Sequence, residues 1–308
     1  HKMKKVLVAT EKPFAKVAVD QIKEIVEKGG CEFALLEKYT DNAQLLNAVK
    51  DANAIIVRSD KVTKEVVEAA KNLEIVVRAG AGFDNLDLDA CTAHNVCAEN
   101  TPGQNANAVA ELVFGMTVMM ARNGFNGTSG TELMGKKLGI HAFGNVGRNV
   151  ARIAKGFGME VYAFDQFVDA AKIEAEGVHA VKSVEELYKT CQYVSLHIPA
   201  TAETKGSINP KLLGLMPQNA VLINTARKEV IDEAGLVAFM KERTDFKYIA
   251  DVAPDNKDAF AEFEGRYFFT PKKMGAQTQE ANINAGVAAA HQIVNFFQNG
   301  DQKFRLNK

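Results

Sequence analysis

Residues 138–147 read Leu-Gly-Ile-His-Ala-Phe-Gly-Asn-Val-Gly, and an acid, Asp165, closes the next apolar run, Val161–Phe164. An apolar strand, a glycine turn and a helix start make a phosphate cradle. The first N–H groups of such a helix lack partners within it and face an anion, while the acid after the second strand accepts from ribose hydroxyls. The pattern G-x-G-x-x-G falls on Ala142, Phe143, Gly144, Asn145, Val146 and Gly147, so its first glycine is an alanine. That first position serves the tight turn, whereas the second lets backbone approach a pyrophosphate and the third lets the helix pack on the strand. Gly144 and Gly147 keep the last two roles, which predicts a slightly displaced turn that still binds NAD. A carboxylate at Asp165 repels a 2′-phosphate and so favours NAD over NADP. Taken alone, Asp165 would read as a surface acid opening a loop.

Working outward, short apolar runs alternate with helical stretches along nearly the whole chain, the signature of parallel α/β architecture. Before the cradle, strands are expected at Val6–Ala9, Glu32–Leu36, Ala54–Val57, Ile75–Val77 and Val96–Ala98. Helices fall between them, among them Lys16–Lys28, Gln44–Lys50 and Thr63–Ala70, and the series reads as a small flavodoxin-like unit. After it, strands are expected at Leu138–Phe143, Glu160–Phe164, Tyr193–Leu196, Val221–Asn224 and Tyr248–Ala250, with helices such as Val146–Lys155 and Glu233–Lys241. A long helix, Asn105–Arg122, joins the two series. A last helix, Thr278–Gln298, carries an apolar face suited to packing back on the first.

Composition removes several function classes. The 308 residues suffice for two domains, and 47% hydrophobic with 24% charged residues is a globular profile. A net charge of −1 with no basic stripe argues against nucleic acid as a partner. The longest apolar stretch, Val109–Ala121, is broken by Glu111 and is too short to span a bilayer, so no membrane partner is expected. No signal-peptide pattern precedes the first strand, and Cys31, Cys91, Cys97 and Cys191 lack C-x-x-C spacing. Buried thiols in the cytoplasm are the expectation, and no metal site. His94, His179 and His291 have no ligand spacing, and His141, inside a strand, is expected to be buried.

Seven segments, RSDKVT (58–63), RAGAGFDNLD (78–87), NTPGQNANAVAE (100–111), GKKLGIHAFGNVGR (135–148), SLHIPATAETKG (195–206), NTARKEVID (224–232) and GAQTQEANINAG (275–286), run in one order. Together they resemble the D-isomer-specific 2-hydroxyacid dehydrogenases, most closely those acting on phosphoglycerate. The resemblance implies an α/β fold of two flavodoxin/Rossmann-like doubly wound parallel-sheet domains with the active site in the cleft between them. It implies a discontinuous substrate domain of residues 1–99 plus 285–308 and an NAD-binding domain of residues 100–284. It further implies a short form without C-terminal regulatory domains and a homodimer through the nucleotide domain.

Site residues follow from the same resemblance. Arg227 would hold the substrate carboxylate and keto oxygen, a task suited to a guanidinium fork. Arg58 and Arg78, each ending a strand, would grip phosphate and carboxylate, with Ser59, Gly80 and Asn100 adding contacts. Asn145 and Val146 would meet the pyrophosphate, and Thr225 and Ala226 the nicotinamide ribose. Asp251 would bind the carboxamide, while Ala81, His197, Pro199, Thr204, Gly275 and Ala276 line the cofactor.

The chain departs from this pattern at its acid–base pair. Where relatives have Thr-Pro-His-x-Gly-Ala, it has Thr270-Pro271-Lys272-Lys273-Met274-Gly275-Ala276, and the paired glutamate falls on Asn256. Lys228 replaces a common glycine beside Arg227. A lysine has no tautomer for a carboxylate to fix, so losing both partners together is chemically coherent. Counting back from Gly275-Ala276 selects Lys273 as the acid/base and counting forward from Pro271 selects Lys272; the helix start after the loop is the firmer anchor and favours Lys273, with Asp255 a weak substitute for the glutamate. The implied reaction is NAD-dependent oxidation of the C2 alcohol of 3-phosphoglycerate. Reduction of an unphosphorylated 2-keto acid such as glyoxylate or hydroxypyruvate, or a non-catalytic NADH sensor, are the alternatives.

Overall fold

The computed structural model describes residues 2–308 and divides into two compact units, His1–Asn105 with Gln277–Lys308, and Ala106–Ala276. The joints fall at 105/106 and 276/277 rather than at 99/100 and 284/285. The physical reason is helical continuity: the closing helix begins at Gln279 and packs along its length in the first unit.

The first unit runs β1 (Lys5–Thr10), α1 (Lys16–Lys28), β2 (Glu32–Glu37), α2 (Asn42–Ala48), β3 (Ala54–Val57), α3 (Lys64–Ala69), β4 (Ile75–Arg78), α4 (Leu88–Ala93) and β5 (Cys97–Asn100). Its five parallel strands lie in the order β2-β1-β3-β4-β5, the flavodoxin-like arrangement. Both sheet faces are covered, so β3 is apolar and buried at every position. Alternation sorts its side chains: Ile55 and Val57 join the core with Val66 and Val67 of α3, whereas Ala54 and Ile56 join the core with Ile22 of α1. Asp41, Thr63 and Asp87 cap the following helices by accepting from backbone N–H groups.

The second unit runs α5 (Ala106–Ala121), β6 (Lys137–His141), α6 (Asn145–Gly156), β7 (Glu160–Phe164), α7 (Ala170–Ala175), β8 (His179–Ala180), α8 (Val184–Thr190), β9 (Tyr193–Leu196), α9 (Pro210–Leu213), β10 (Val221–Asn224), α10 (Glu233–Glu242), β11 (Lys247–Ala250) and β12 (Tyr267–Phe269). The sheet is parallel throughout, in the order β12-β11-β10-β9-β6-β7-β8. Chain direction across the sheet reverses at β6, which pairs with both β7 and β9, and ligands of such sheets sit beyond the strand ends at that point. Helix α11 (Gln279–Asn299), capped by Thr278, returns to the first unit and packs on α1.

Three local expectations change. Strand β6 stops at His141, short of Phe143, because the turn starts at Ala142. Strands β8, which carries His179, and β12 are additional to the expected set, since edge strands this short carry no period to read. All four cysteines are free and buried. Among the described residues no helix is long and apolar enough to cross a membrane, and no cluster of His, Cys, Asp and Glu could hold a metal ion.

Candidate active site

The turn after β6 forms as a cradle. Ala142 itself takes φ 84, the left-handed conformation that suits glycine, and its N–H donates to the Phe164 carbonyl at 2.8 Å. Gly144 is the N-cap of α6 with open space where a side chain would stand. At Gly147 a Cβ would lie 2.5 Å from the Ala142 carbonyl oxygen, so the helix packs against the turn only because that position is glycine. Asp165 is half-buried just past β7. The Phe143 N–H donates to its Oδ2 at 2.7 Å and the Phe167 N–H to its Oδ1 at 2.8 Å, which aims the carboxylate. A cavity of about 960 Å³ opens there, lined by His141, Ala142, Asp165, Phe167, Pro199 and Thr204 among others. Asn145 and Gly144 are exposed at the helix start, with Val146 half-buried beside them.

His197 is tied to its own strand. Its Nε2 lies 2.8 Å from the Ser195 hydroxyl, and burial together with the nearby His141 pushes its pKa down to about 3. It is neutral at physiological pH and cannot serve as a proton shuttle there. Thr204 Oγ1 donates to the Pro199 carbonyl at 2.6 Å, folding that loop on itself.

The acid–base end is built on a buried amide that the sequence did not single out. Asn224 ends β10; its Oδ1 accepts from the Ala226 N–H at 3.0 Å, and its Nδ2 donates to the Arg227 carbonyl at 3.1 Å and the Tyr248 hydroxyl at 3.2 Å. The resulting turn presents the exposed Arg227 and turns two carbonyls outward. Lys273 Nζ donates to both, to Thr225 at 3.1 Å and Ala226 at 2.9 Å. Lys273 is exposed along its length, but its ammonium end is turned in onto these carbonyls. Burial lowers its pKa, and Arg227 lowers it further, against the opposing pull of Asp251 and Glu229. Lys272 is exposed and its side chain makes no hydrogen bond among the described residues. Thr225 Oγ1 is buried without a protein partner, an orphaned donor on the side expected to meet a nicotinamide ribose.

Asp251 holds the lysine loop. It is 3% exposed; Oδ1 accepts from the Thr270 hydroxyl and the Met274 N–H, both at 2.8 Å, and Oδ2 from the Gly275 N–H at 2.7 Å. A carboxylate accepting three bonds from one loop is that loop's anchor. Ala276, half-buried, follows directly. Asp255, the candidate substitute for the glutamate, is exposed and its carboxylate pairs with Lys228 Nζ at 2.7 Å. Asn256, at the glutamate's own position, donates to the Glu233 carbonyl at 3.1 Å and leaves its Oδ1 buried and unpaired.

In the first unit, burial lowers the pKa of Arg58 against the pull of Asp60, and lowers that of Arg78, where the nearby Arg58 adds to it against Asp84 and Asp60. Arg78 Nη1 donates to Asn85 Oδ1 at 3.1 Å, while its buried Nε has no partner. The Nε–Nη2 edge runs over Gly80, where a Cβ would come within 2.8 Å of Nε; Gly80 has φ 151. Nε is thus sealed against the glycine, and Nη2 is the nitrogen of that edge left for an anion. Arg58 is differently employed. Its Nη1 donates to the Lys12 and Pro13 carbonyls at 3.0 Å each, and its guanidinium lies 5.3 Å from the Phe14 ring centroid. Ser59 is exposed, and Asn100 is buried with its Nδ2 donating to the Ala81 carbonyl at 2.8 Å. Asn85, unremarked in the sequence, donates to the Arg58 and Asp60 carbonyls and so joins both arginines to one loop.

Comparison with known proteins bears on these parts. A family model for the D-isomer specific 2-hydroxyacid dehydrogenase, NAD binding domain, matches residues 107–267. D-3-phosphoglycerate dehydrogenase of Methanocaldococcus jannaschii is 35% identical over 291 residues, 89% of this chain and 55% of that protein. Hydroxypyruvate reductase of Thermotoga maritima is 34% identical over 219 residues, 67% of this chain and 70% of that protein. Among solved structures, the NAD⁺-bound 3-phosphoglycerate dehydrogenase of Entamoeba histolytica is 48% identical with a TM-score of 0.86, covering 100% of this chain and 99% of that one. The chain spans about half the length of several curated relatives it matches. The cofactor of the matched domain is NAD. The open N-terminus of α6, the aimed Asp165 carboxylate, the cavity beside it and the orphaned Thr225 hydroxyl all fit that dinucleotide.

Proposed function

The chain belongs to the D-isomer-specific 2-hydroxyacid dehydrogenases, and on that premise we propose that it oxidises the C2 alcohol of 3-phosphoglycerate to the ketone, with Lys273 as acid/base. The observation that carries this reading is the lysine's seat: its ammonium rests on the two carbonyls that precede Arg227. Bound NAD supplies the hydride acceptor. Arg227 holds the oxygen on C2, and its positive charge stabilises the alkoxide character that develops as the hydroxyl proton leaves. That proton passes to the neutral amine of Lys273; in the reverse direction the ammonium returns it to the keto oxygen. An ordinary lysine, with a pKa of about 10.4, is too weakly dissociated for this at neutral pH, and burial beside Arg227 shifts it the useful way. Arg78, through Nη2, takes an anionic group of the substrate. Four free buried cysteines suit a reducing compartment, the cytoplasm, and exposed Phe125 and Met134 after α5 suit a homodimer through the second unit.

A second reading, reduction of an unphosphorylated 2-keto acid such as hydroxypyruvate or glyoxylate, is favoured by one observation: Arg58 is already spent on the Lys12 and Pro13 carbonyls. Initial rates of NADH oxidation with phosphohydroxypyruvate, hydroxypyruvate and glyoxylate decide between them. The proposal expects the phosphorylated substrate to lead in kcat/KM, Lys273→Ala to lose turnover by about 10²–10⁴-fold while still binding NADH, and Lys272→Ala to stay active. Wild-type turnover in Lys273→Ala would refute the acid/base assignment, and a lead for hydroxypyruvate would refute the phosphorylated substrate. No turnover with any of the three over a wide pH range would leave an NADH sensor.

A further inference from the structure

His141 ends β6, is only 8% exposed, and nevertheless lines the cavity beside Asp165. Its Nδ1 lies 2.9 Å from the hydroxyl of Tyr188, a fully buried side chain of α8. That contact fixes the tautomer. The Tyr188 hydroxyl has no other partner among the described residues, so its proton must go to Nδ1. Were Nδ1 the donor instead, a buried O–H would be left unmet at a cost of one lost hydrogen bond. The ring proton therefore sits on Nε2. Among the described residues Nε2 has no protein partner, and it is not one of the polar atoms sealed from solvent.

A strand end facing a helix is an apolar position by default, and a leucine there would be buried without polar cost. An imidazole with one nitrogen satisfied and the other donating to nothing is poorer unless a ligand meets it. The ligand expected at this place is the adenosine half of NAD, which carries ribose oxygens and ring nitrogens able to accept. We propose that His141 is a dinucleotide-binding residue whose Nε2–H, oriented by the Tyr188 hydroxyl, donates to the adenosine half of NAD. It complements Asp165 on the same cavity wall: the carboxylate accepts from the adenosine ribose, and the imidazole donates. The inference stands on NAD binding alone and is independent of which 2-hydroxy acid is the substrate.

Calorimetric titrations with NADH, ADP-ribose and nicotinamide mononucleotide test it without any turnover. His141→Leu should raise the Kd for NADH and for ADP-ribose by the same factor, about 3- to 10-fold, the range for one neutral hydrogen bond, and leave nicotinamide mononucleotide unchanged. Tyr188→Phe keeps the imidazole but frees its tautomer, so a loss of about twofold for ADP-ribose is expected. Unchanged ADP-ribose affinity in His141→Leu would overturn the proposal, as would an equal loss for nicotinamide mononucleotide. Should His141→Leu fail to fold by circular dichroism, Tyr188→Phe decides alone, and wild-type ADP-ribose affinity there overturns it.

Discussion

Asp251→Asn is the sharpest probe of how the lysine loop is held. The two side chains have nearly the same volume, so the substitution changes hydrogen bonding and charge without opening a cavity. In the native site three donors of the Thr270–Gly275 loop converge on one carboxylate. An amide offers one acceptor oxygen. If its NH₂ replaces Oδ2, it meets the Gly275 N–H donor to donor; if it replaces Oδ1, the Met274 N–H is left unmet while the Thr270 hydroxyl can rotate to accept. Either way at least one buried charge-assisted bond is lost, worth about 1.5–3 kcal/mol, and an unsatisfied donor adds about 1–3 kcal/mol. A loss of about 3 kcal/mol, confined to this loop, corresponds to roughly a hundredfold rise in its open population. Amide hydrogen exchange of the peptide containing Met274 and Gly275, followed by mass spectrometry, should accelerate by about that factor, with protection of the β6–β10 sheet unchanged. The kcat should fall in parallel because the loop carries Lys273, while NADH affinity changes little. Native protection of this peptide in Asp251→Asn would refute the anchoring role, and native kcat with lost protection would separate the loop from the chemistry.

Two further outcomes are expected. Asn224→Ala removes all three bonds that shape the Arg227 turn, so kcat for the keto-acid reduction should drop at least about tenfold, with Tyr248→Phe, which removes one, falling between it and wild type; equal kcat in all three proteins would sink the positioning role. The second concerns acid stability. Burial depresses the His141 pKa to about 4, against an ordinary value near 6.5, so the native state favours the neutral ring. Its contribution is present above pH of about 6.5 and is lost as the pH falls toward 4, amounting to roughly 3 kcal/mol over that window. Urea unfolding at pH 7 and 4.5 should therefore show a smaller acid-induced loss for His141→Leu than for wild type, by about 2–3 kcal/mol, and parallel losses would contradict a buried neutral imidazole.

Much of the scaffold was legible because buried parallel strands announce themselves. Ala54–Val57, Glu160–Phe164, Tyr193–Leu196 and Val221–Asn224 occupy the spans their composition indicated. Each is a short apolar run between helical stretches, and covering both sheet faces leaves no other place for such a run. The misses are of another kind. Strands β8 and β12 are too short to show a pattern, and β6 ends two residues before the apolar run does because Ala142 takes the left-handed turn that its place in the cradle motif requires. In the site, counting gives Lys272 from one side and Lys273 from the other, since the loop is one residue longer, and only the helix start after it favours Lys273. Asn224 was visible only as an asparagine closing a strand, a position where a side-chain amide commonly folds the following turn, and that signal passed unread.

The order of apolar runs, the cradle at 142–147 with Asp165, and the arginines and lysines near the chemistry are local properties, written in residues close together along the chain, and reading them requires no distances. Which lysine is seated, which arginine is free, what Asp251 and Asp255 hold, and that His141 meets both a buried tyrosine and an open cavity depend on residues tens of positions apart brought within 3 Å or so of one another. A hydrogen bond is decided by tenths of an ångström and by which partner is already engaged. That competition among donors and acceptors exists only once the sheet has closed around them.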